Sequence, residues 1–351
     1  MPSMNRRHFL LAGAPAIQTE PRLTWRLASS FPNGLDTIYG AAEVLARRVE
    51  QLTEGRLRIR PYSAGELVPA FEVLTAVQNG TVQMGHAASY YFKGHNPALV
   101  FDCTVPFGLT ARQLNAWYYQ GDGLDLTREM FADFNVINFP GGNTGTQMGG
   151  WFRREIRSLR DLRGLKMRIP GLGGEVMDQL GVTVQVIPGG EIYPALERGA
   201  IDATEWVGPY DDEKLGFHEI VQNYYYPGWW EPGPGLSFYV NRQAWEGLPS
   251  TYQKAIEVAA AEANDNMLAQ YDALNAPALK RLIEAGVRVQ PFPDDVMAQA
   301  RRVTDELLEQ AASDAFYRRI YDSYRRWRDQ AYRWFSTAEL AYANVAFRGD
   351  G

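Results

Sequence analysis

Residues 203–212 read ATEWVGPYDD. A carboxylate, Glu205, stands beside a large ring, Trp206, just before a Gly208-Pro209 bend and two aspartates. A carboxylate can hold a cation, keep a proton or pair with a base, and an indole offers a broad apolar surface. A buried acid paired with Arg or Lys beside a core tryptophan gives the same string. The choice between these readings rests on three other places: Gln147 in GTQMGGWF, Arg168 in KMRIPG and Glu231 in GWWEPG.

Motifs for covalent or group-transfer chemistry are missing. GLGGEV lacks the third glycine of a dinucleotide fingerprint, and no phosphate-binding G-x-x-x-x-G-K-S/T occurs. There is no G-x-S-x-G elbow, no H-E-x-x-H and no D-x-D-x-D-G loop. His86, His95 and His218 are isolated, and His8 lies in the N-terminal segment. The one cysteine, Cys103, cannot form an internal disulfide, and 4 histidines make a Cys/His zinc site a poor expectation. Cys103 reads as a buried small apolar residue.

These residues must be mounted on a large frame. The chain has 351 residues, 46% of them hydrophobic, enough for two lobes. Net charge is −6 with no basic stripe, which argues against a nucleic-acid partner. From Thr24, TWRLASSF reads as a strand, and Ile38, Ala42, Leu45, Val49 and Leu52 recur at helical spacing up to Gly55. RLRIRPY, PAFEVLTAVQNG and TVQMGHA continue as strand, helix and strand. This β-α-β-α-β order implies a mostly parallel sheet with helices on its faces. The order recurs after residue 139, where TQMGGWF, KMRIP, VTVQVIP and the run before Glu205 read as strands. SFYVNRQAW reads as a returning strand. A helix of about 35 residues follows, with Ser250 and Gln253 as a capping box, Pro277 as a possible kink site and Gly286 beyond its end. VRVQPFP is another strand. The tail from Asp294 to about Ala343 is helical, with Phe316, Ile320, Tyr324, Trp327, Ala331 and Trp334 in one stripe, suited to core packing or a subunit interface.

Four segments together carry a family likeness: GNTGTQMGGWFRREI, LKMRIPGLGGEVMDQLG, GAIDATEWVGPYDDEKLGF and YYYPGWWEPGPGLSFYVN. The chain resembles the DctP-like solute-binding proteins of TRAP transporters, the tripartite ATP-independent periplasmic carriers. The subgroup it resembles most binds 2-oxo acids or lactate with a metal ion. The likeness implies an α/β, periplasmic-binding-protein-like fold, with two lobes around a ligand cleft and long C-terminal helices. It implies lobe I over 22–139, lobe II over 140–228 and a return to lobe I over 229–270. Residues 271–351 would be a helical region spanning the lobes and carrying a homodimer interface.

The likeness also assigns roles. Arg168 matches the arginine that pairs with the substrate carboxylate, a role suited to the planar guanidinium fork. Gln147, Glu205, the backbone oxygen of Trp206 and Glu231 match the metal ligands. These are hard oxygen donors suited to Na⁺ or Ca²⁺. Gln147 and the Trp206 ring would also touch substrate. Tyr90 and Tyr91 match aromatic cleft walls, Phe31 at the end of the first strand is a further cleft candidate, and the Asn143 amide would reach a substrate oxygen. No reaction is expected. The ligand would be a small 2-oxo or 2-hydroxy monocarboxylate handed to the membrane subunits of the carrier. The alternatives are a dicarboxylate or sugar acid in the same fold, or a periplasmic metal-assisted lyase.

The N-terminus carries an export pattern over residues 1–21. Arg6-Arg7 precedes Phe9-Leu10-Leu11, and Ala14-Pro15-Ala16 resembles a cleavage site, as in a twin-arginine signal. No cysteine follows for a lipid anchor. Replacing Arg6 and Arg7 with lysine should leave precursor in the cytoplasm, read by fractionation and blotting. Unchanged periplasmic yield would remove the twin-arginine route.

Overall fold

The computed structural model describes residues 20–347, so nearly all of the export segment lies outside the described residues. Strands β1 (Leu23–Ser29), β2 (Leu57–Tyr62), β3 (Met84–Ala87) and β4 (Val136–Asn143) run in one direction in the first sheet. Helices α1 (Gly40–Leu52) and α2 (Val73–Gln78) cross between them, then α3 (Ala111–Gln120) and α4 (Gly123–Ala132). The burial of Ala42, Leu45 and Val49 on α1 follows the three-and-four spacing of one apolar face. Strand β4 extends past the boundary expected at 139/140. It pairs along its whole length in this sheet, so NVINFPGGN closes the first lobe rather than opening the second.

The second sheet contains β5 (Trp151–Phe152), β6 (Lys166–Arg168), β7 (Thr183–Gln185), β8 (Ala203–Thr204) and β9 (Asn223–Tyr226). Helices α5 (Gly171–Gln179), α6 (Gly189–Glu197) and α7 (Pro209–Lys214) connect them. The chain then returns as β10 (Gly235–Asn241), inserted antiparallel between β3 and β4. The strand orders are β2-β1-β3-β10-β4 and β11-β9-β5-β8-β6-β7, where β11 is Arg288–Pro291. Each sheet thus has one strand running against the rest, β10 in the first and β5 in the second.

After the short α8 (Arg242–Glu246), the long helix α9 (Ser250–Glu284) packs on α1 and β4 of one lobe and on α7 of the other. Pro277 lies inside it without ending it. The expected capping box is absent. Pro249 occupies the cap position, Ser250 is already helical, and Gln253 donates to the Trp245 carbonyl at 2.8 Å instead. A proline cannot cap through its side chain, but its fixed φ, here −53°, leads into the first turn. Helix α10 (Asp294–Ala311) closes the core beneath the second sheet with Val296 and Ala300. Helix α11 (Ala315–Phe335) buries Ile320 and Tyr324 against the first lobe, and the Tyr324 hydroxyl accepts from the Leu109 amide at 2.8 Å. Trp334, from the same stripe, is 62% exposed, and α12 (Ala341–Ala346) follows. Cys103 is buried. Among the described residues no helix is long and apolar enough to cross a membrane.

Candidate functional site

Arg168 is the last residue of β6, and its register partner on the parallel neighbour β8 is Thr204. Parallel strands in register end together, so Arg168 and Glu205 emerge side by side at the carboxyl edge of the sheet. The guanidinium is 1% exposed. Its Nε donates to the Ile187 carbonyl at 3.1 Å and its Nη1 to the Glu205 carbonyl at 3.2 Å. Nη1 also pairs with the Glu205 carboxylate. Nη2 is buried with no hydrogen-bond partner.

Backbone bonds bring Gln147 and Glu231 to the same place. The Gln147 amide donates to the Glu231 carbonyl at 3.2 Å, and the Gly228 amide to the Gln147 carbonyl at 2.9 Å. A Cβ at Gly228 would lie 2.6 Å from that carbonyl oxygen, so only glycine allows the approach. The Met148 amide bonds the Val207 carbonyl at 3.1 Å, which ties in the segment after β8. Gly150, at φ +79°, lets β5 close on it, because a Cβ there would be 2.4 Å from the Thr204 carbonyl oxygen.

The side-chain atoms left over share one property. Gln147 Oε1, Glu205 Oε2 and Glu231 Oε2 are all buried without a hydrogen-bond partner. Gln147 spends its Nε2 on Thr144 Oγ1 at 3.1 Å, which leaves the acceptor free. The Trp206 carbonyl accepts no hydrogen bond from the described residues. An unpartnered buried polar atom costs about 1–3 kcal/mol, and native proteins carry few of them. A group of acceptors fits a cation bound through oxygen. No three His, Cys, Asp or Glu side chains converge among the described residues. The set here has two carboxylates, with an amide and a carbonyl beside them.

Electrostatics agree. Burial pushes Glu205 up to about 7, the Asp212 charge adds to this, and Arg168 opposes it. Glu231 is raised well above the carboxylate range by burial and then by Glu205, against the pull of Tyr90, Arg168 and Gln147. Behind them, Trp206 Nε1 and the Tyr271 hydroxyl donate to Asp211 at 3.2 and 2.8 Å. Trp151 Nε1 and the Tyr224 hydroxyl donate to Asp212 at 2.8 and 2.7 Å. The first turn of α7 thereby fixes the Trp206 ring, which lies 5.2 Å from the Arg168 guanidinium carbon.

Phe31, Tyr90, Tyr91, Gln147, Arg168 and Trp206 line a narrow cavity of about 10 Å³, closed down around the site. Ile38, Val207 and Leu236 add apolar lining, and sequence reasoning missed all three as cavity residues. Asn143 does not line it. Its Nδ2 donates to the Gly233 carbonyl at 3.0 Å and its Oδ1 accepts from the Gly145 amide at 2.9 Å, so the amide serves a turn. Asp211 and Asp212 were visible beside Trp206, but only the α7 turn shows what they hold.

A sequence profile of the DctP bacterial extracellular solute-binding proteins, family 7, matches residues 28–314. The chain belongs to this family. It is a family of transport binding proteins, not of enzymes. This solute-binding protein is 54% identical over 327 residues to a monocarboxylate 2-oxoacid-binding periplasmic protein of a Nostoc species, covering 93% of this chain and 90% of that one. A TRAP transporter solute-binding protein of Bordetella bronchiseptica superposes with a TM-score of 0.92 at 47% identity, over 93% of this chain and 98% of that one. That protein is a mixed-occupancy dimer with copurified calcium and picolinate in the occupied active site. One from Pseudoalteromonas atlantica, with bound sodium and pyruvate, superposes at 0.89 with 42% identity, over 92% and 99%.

The raised Glu205 has a measurable consequence. Its folded value, about 7, lies above the ordinary 4.5. The folded state therefore holds the proton to higher pH than the unfolded state does. The stability this contributes is complete below the ordinary value and is lost as pH rises toward 7, at up to about 1.4 kcal/mol per pH unit. Glu205→Gln has no proton to lose. In chelated, sodium-free buffer its melting temperature should gain on the wild type between pH 5 and 7.5. A difference that stays constant with pH would contradict the burial of a titrating Glu205.

Proposed function

We propose that this chain is the periplasmic binding component of a TRAP transporter, exported by the twin-arginine route. It closes on a small 2-oxo or 2-hydroxy monocarboxylate together with Na⁺ or Ca²⁺ and delivers the acid to the membrane subunits. The observation that carries this reading is the set of unpartnered oxygens of Gln147, Glu205 and Glu231 in one buried site with an unpartnered Arg168 Nη2. The ligands named for the Nostoc, Bordetella and Pseudoalteromonas relatives support it.

The chemistry divides between two poles. Arg168 takes the ligand carboxylate through Nη2, in a site dry enough for the charge–charge contact to act at low effective dielectric. A two-pronged grip needs Nη1 as well, and Glu205 must release it. Gln147, Glu205, the Trp206 carbonyl and Glu231 would hold the ion. Bound there, the ion would supply the positive charge that lets both glutamates ionise beside the ligand carboxylate. Counting Glu205, Glu231 and the ligand carboxylate against Arg168 leaves −2. Sodium reduces this to −1 and calcium to zero, so charge favours calcium. Arg168 is the one fully buried Lys or Arg among the described residues, which matches one carboxylate and not a dicarboxylate. The Trp206 ring, Phe31 and Tyr91 then face the carbon chain. The exposed Trp334, Leu340, Tyr342 and Phe347 near the C-terminus supply apolar area for a homodimer.

Arg168→Lys should lower ligand affinity by tenfold or more, because an ammonium cannot bond Ile187, Glu205 and a ligand in one plane. Calorimetry with pyruvate measures this, and a loss below roughly fivefold, about 1 kcal/mol, would mean another group holds the carboxylate. Ion and ligand should also be coupled. Titration in chelated, sodium-free buffer should show weakened pyruvate binding, restored by Ca²⁺ or Na⁺, and pyruvate should tighten ion binding by the same factor. Equal pyruvate affinity with and without the ions refutes the metal site.

A further inference from the structure

A second, more open cavity of about 460 Å³ lies next to the first, lined by Ser30, Pro32 and the segment from Ala64 to Ala70 of one lobe and by Pro188 to Glu191 of the other. Its boundary with the inner cavity is thin. Ser30 and Pro32 face the outer space while Phe31, between them, faces the inner one. The chain bends here just after β1, and with neighbours facing opposite cavities this stretch is itself the wall. On the other lobe, Gly189 lines the outer space, and a Cβ on it would sit 2.4 Å from Trp206 Cη2. The indole is therefore the inner face of the same wall.

Both rings are fixed. Trp206 is held by Asp211 and stacks on Arg168. Phe31 packs edge-on against His86 at 5.2 Å and near Tyr91 at 6.5 Å. The fully buried His86 has both ring nitrogens unpartnered, and burial holds it neutral, so it backs Phe31 as a flat filler. Beyond the wall, Leu67, Val68, Pro69 and Pro188 offer apolar surface for an alkyl tail.

We infer that the Phe31 and Trp206 rings, one from each lobe, form the partition that sets the ligand's chain-length limit. This rests on the 2-oxo acid reading above. With the partition in place the site takes short 2-oxo acids. Without the Phe31 ring the inner and outer cavities join, and a longer tail passes through to the apolar surface outside.

The test is calorimetry on the full mature chain with Ca²⁺ present, using pyruvate, 2-oxobutanoate, 2-oxohexanoate and 2-oxooctanoate. Wild type should bind the first two and lose affinity as the tail lengthens. Phe31→Ala should bind 2-oxooctanoate at least tenfold tighter than wild type does, since each newly buried methylene adds roughly fourfold. Phe31→Leu, a smaller change less able to disturb folding, should move the same way by less. A wild type that binds none of the four acids overturns the functional reading, and this inference with it. Pyruvate binding by wild type, with no gain for 2-oxooctanoate in either variant or with loss of all binding in both, overturns the partition alone.

Discussion

Two buried glutamates share one buried guanidinium, and most of the surrounding structure answers to that imbalance. Arg168 stands at the end of β6 and Glu205 follows β8, so the register of two parallel strands pairs them. Glu231 has no such partner. Its neighbours Tyr90 and Gln147 offset its burial only in part, and its carboxyl stays well above the ordinary range. A site of this kind is costly with its charges unbalanced and strong once they are balanced. That is how a binding protein can couple closure to the arrival of both a cation and an anion.

The frame makes the imbalance tolerable by holding it rigidly. Helix α9 touches both lobes and anchors α7, through Tyr271 on Asp211 and through the Asn275 side-chain oxygen on the Tyr210 amide at 3.0 Å. The aspartates of α7 in turn orient Trp206 and Trp151. At the cleft rim the lobes meet through weaker contacts. Asp36 pairs with Lys214 and accepts from the Tyr210 hydroxyl at 3.2 Å, and Lys93 pairs with Glu175. Exposed pairs of this sort contribute about 0–1 kcal/mol each. They suit a cleft that must reopen, whereas the buried contacts suit one that must hold its ligand.

The aromatic residues divide the same way. Trp229 and Trp230 belong to the core under the second sheet, where Trp230 packs on Phe292 with centroids 5.6 Å apart. They shape the turn that presents Glu231 without facing the ligand. Phe31, Tyr90, Tyr91 and Trp206 line the cavity itself. One composition of large rings thus serves packing in one place and recognition in another, and only position separates the two.

Local pattern decided much of this protein. Alternation marked β2, and three-and-four spacing marked α1 and α11, because those periods follow from backbone geometry alone. The strings around Gln147, Arg168, Glu205 and Glu231 indicated the family, since hard oxygen donors and a guanidinium retain their chemistry in any context. Tertiary structure decided what depends on distant partners. It placed β4 in the first sheet, because β10, which it pairs with, returns about a hundred residues later. It turned the Asn143 amide onto Gly233 and Gly145, and it gave half of the Arg168 fork to Glu205. It also brought Ile38, Val207 and Leu236 to the cavity wall. A hydrogen bond goes to whichever partner the fold places within reach, and an apolar side chain becomes a binding surface only where the fold leaves space beside it.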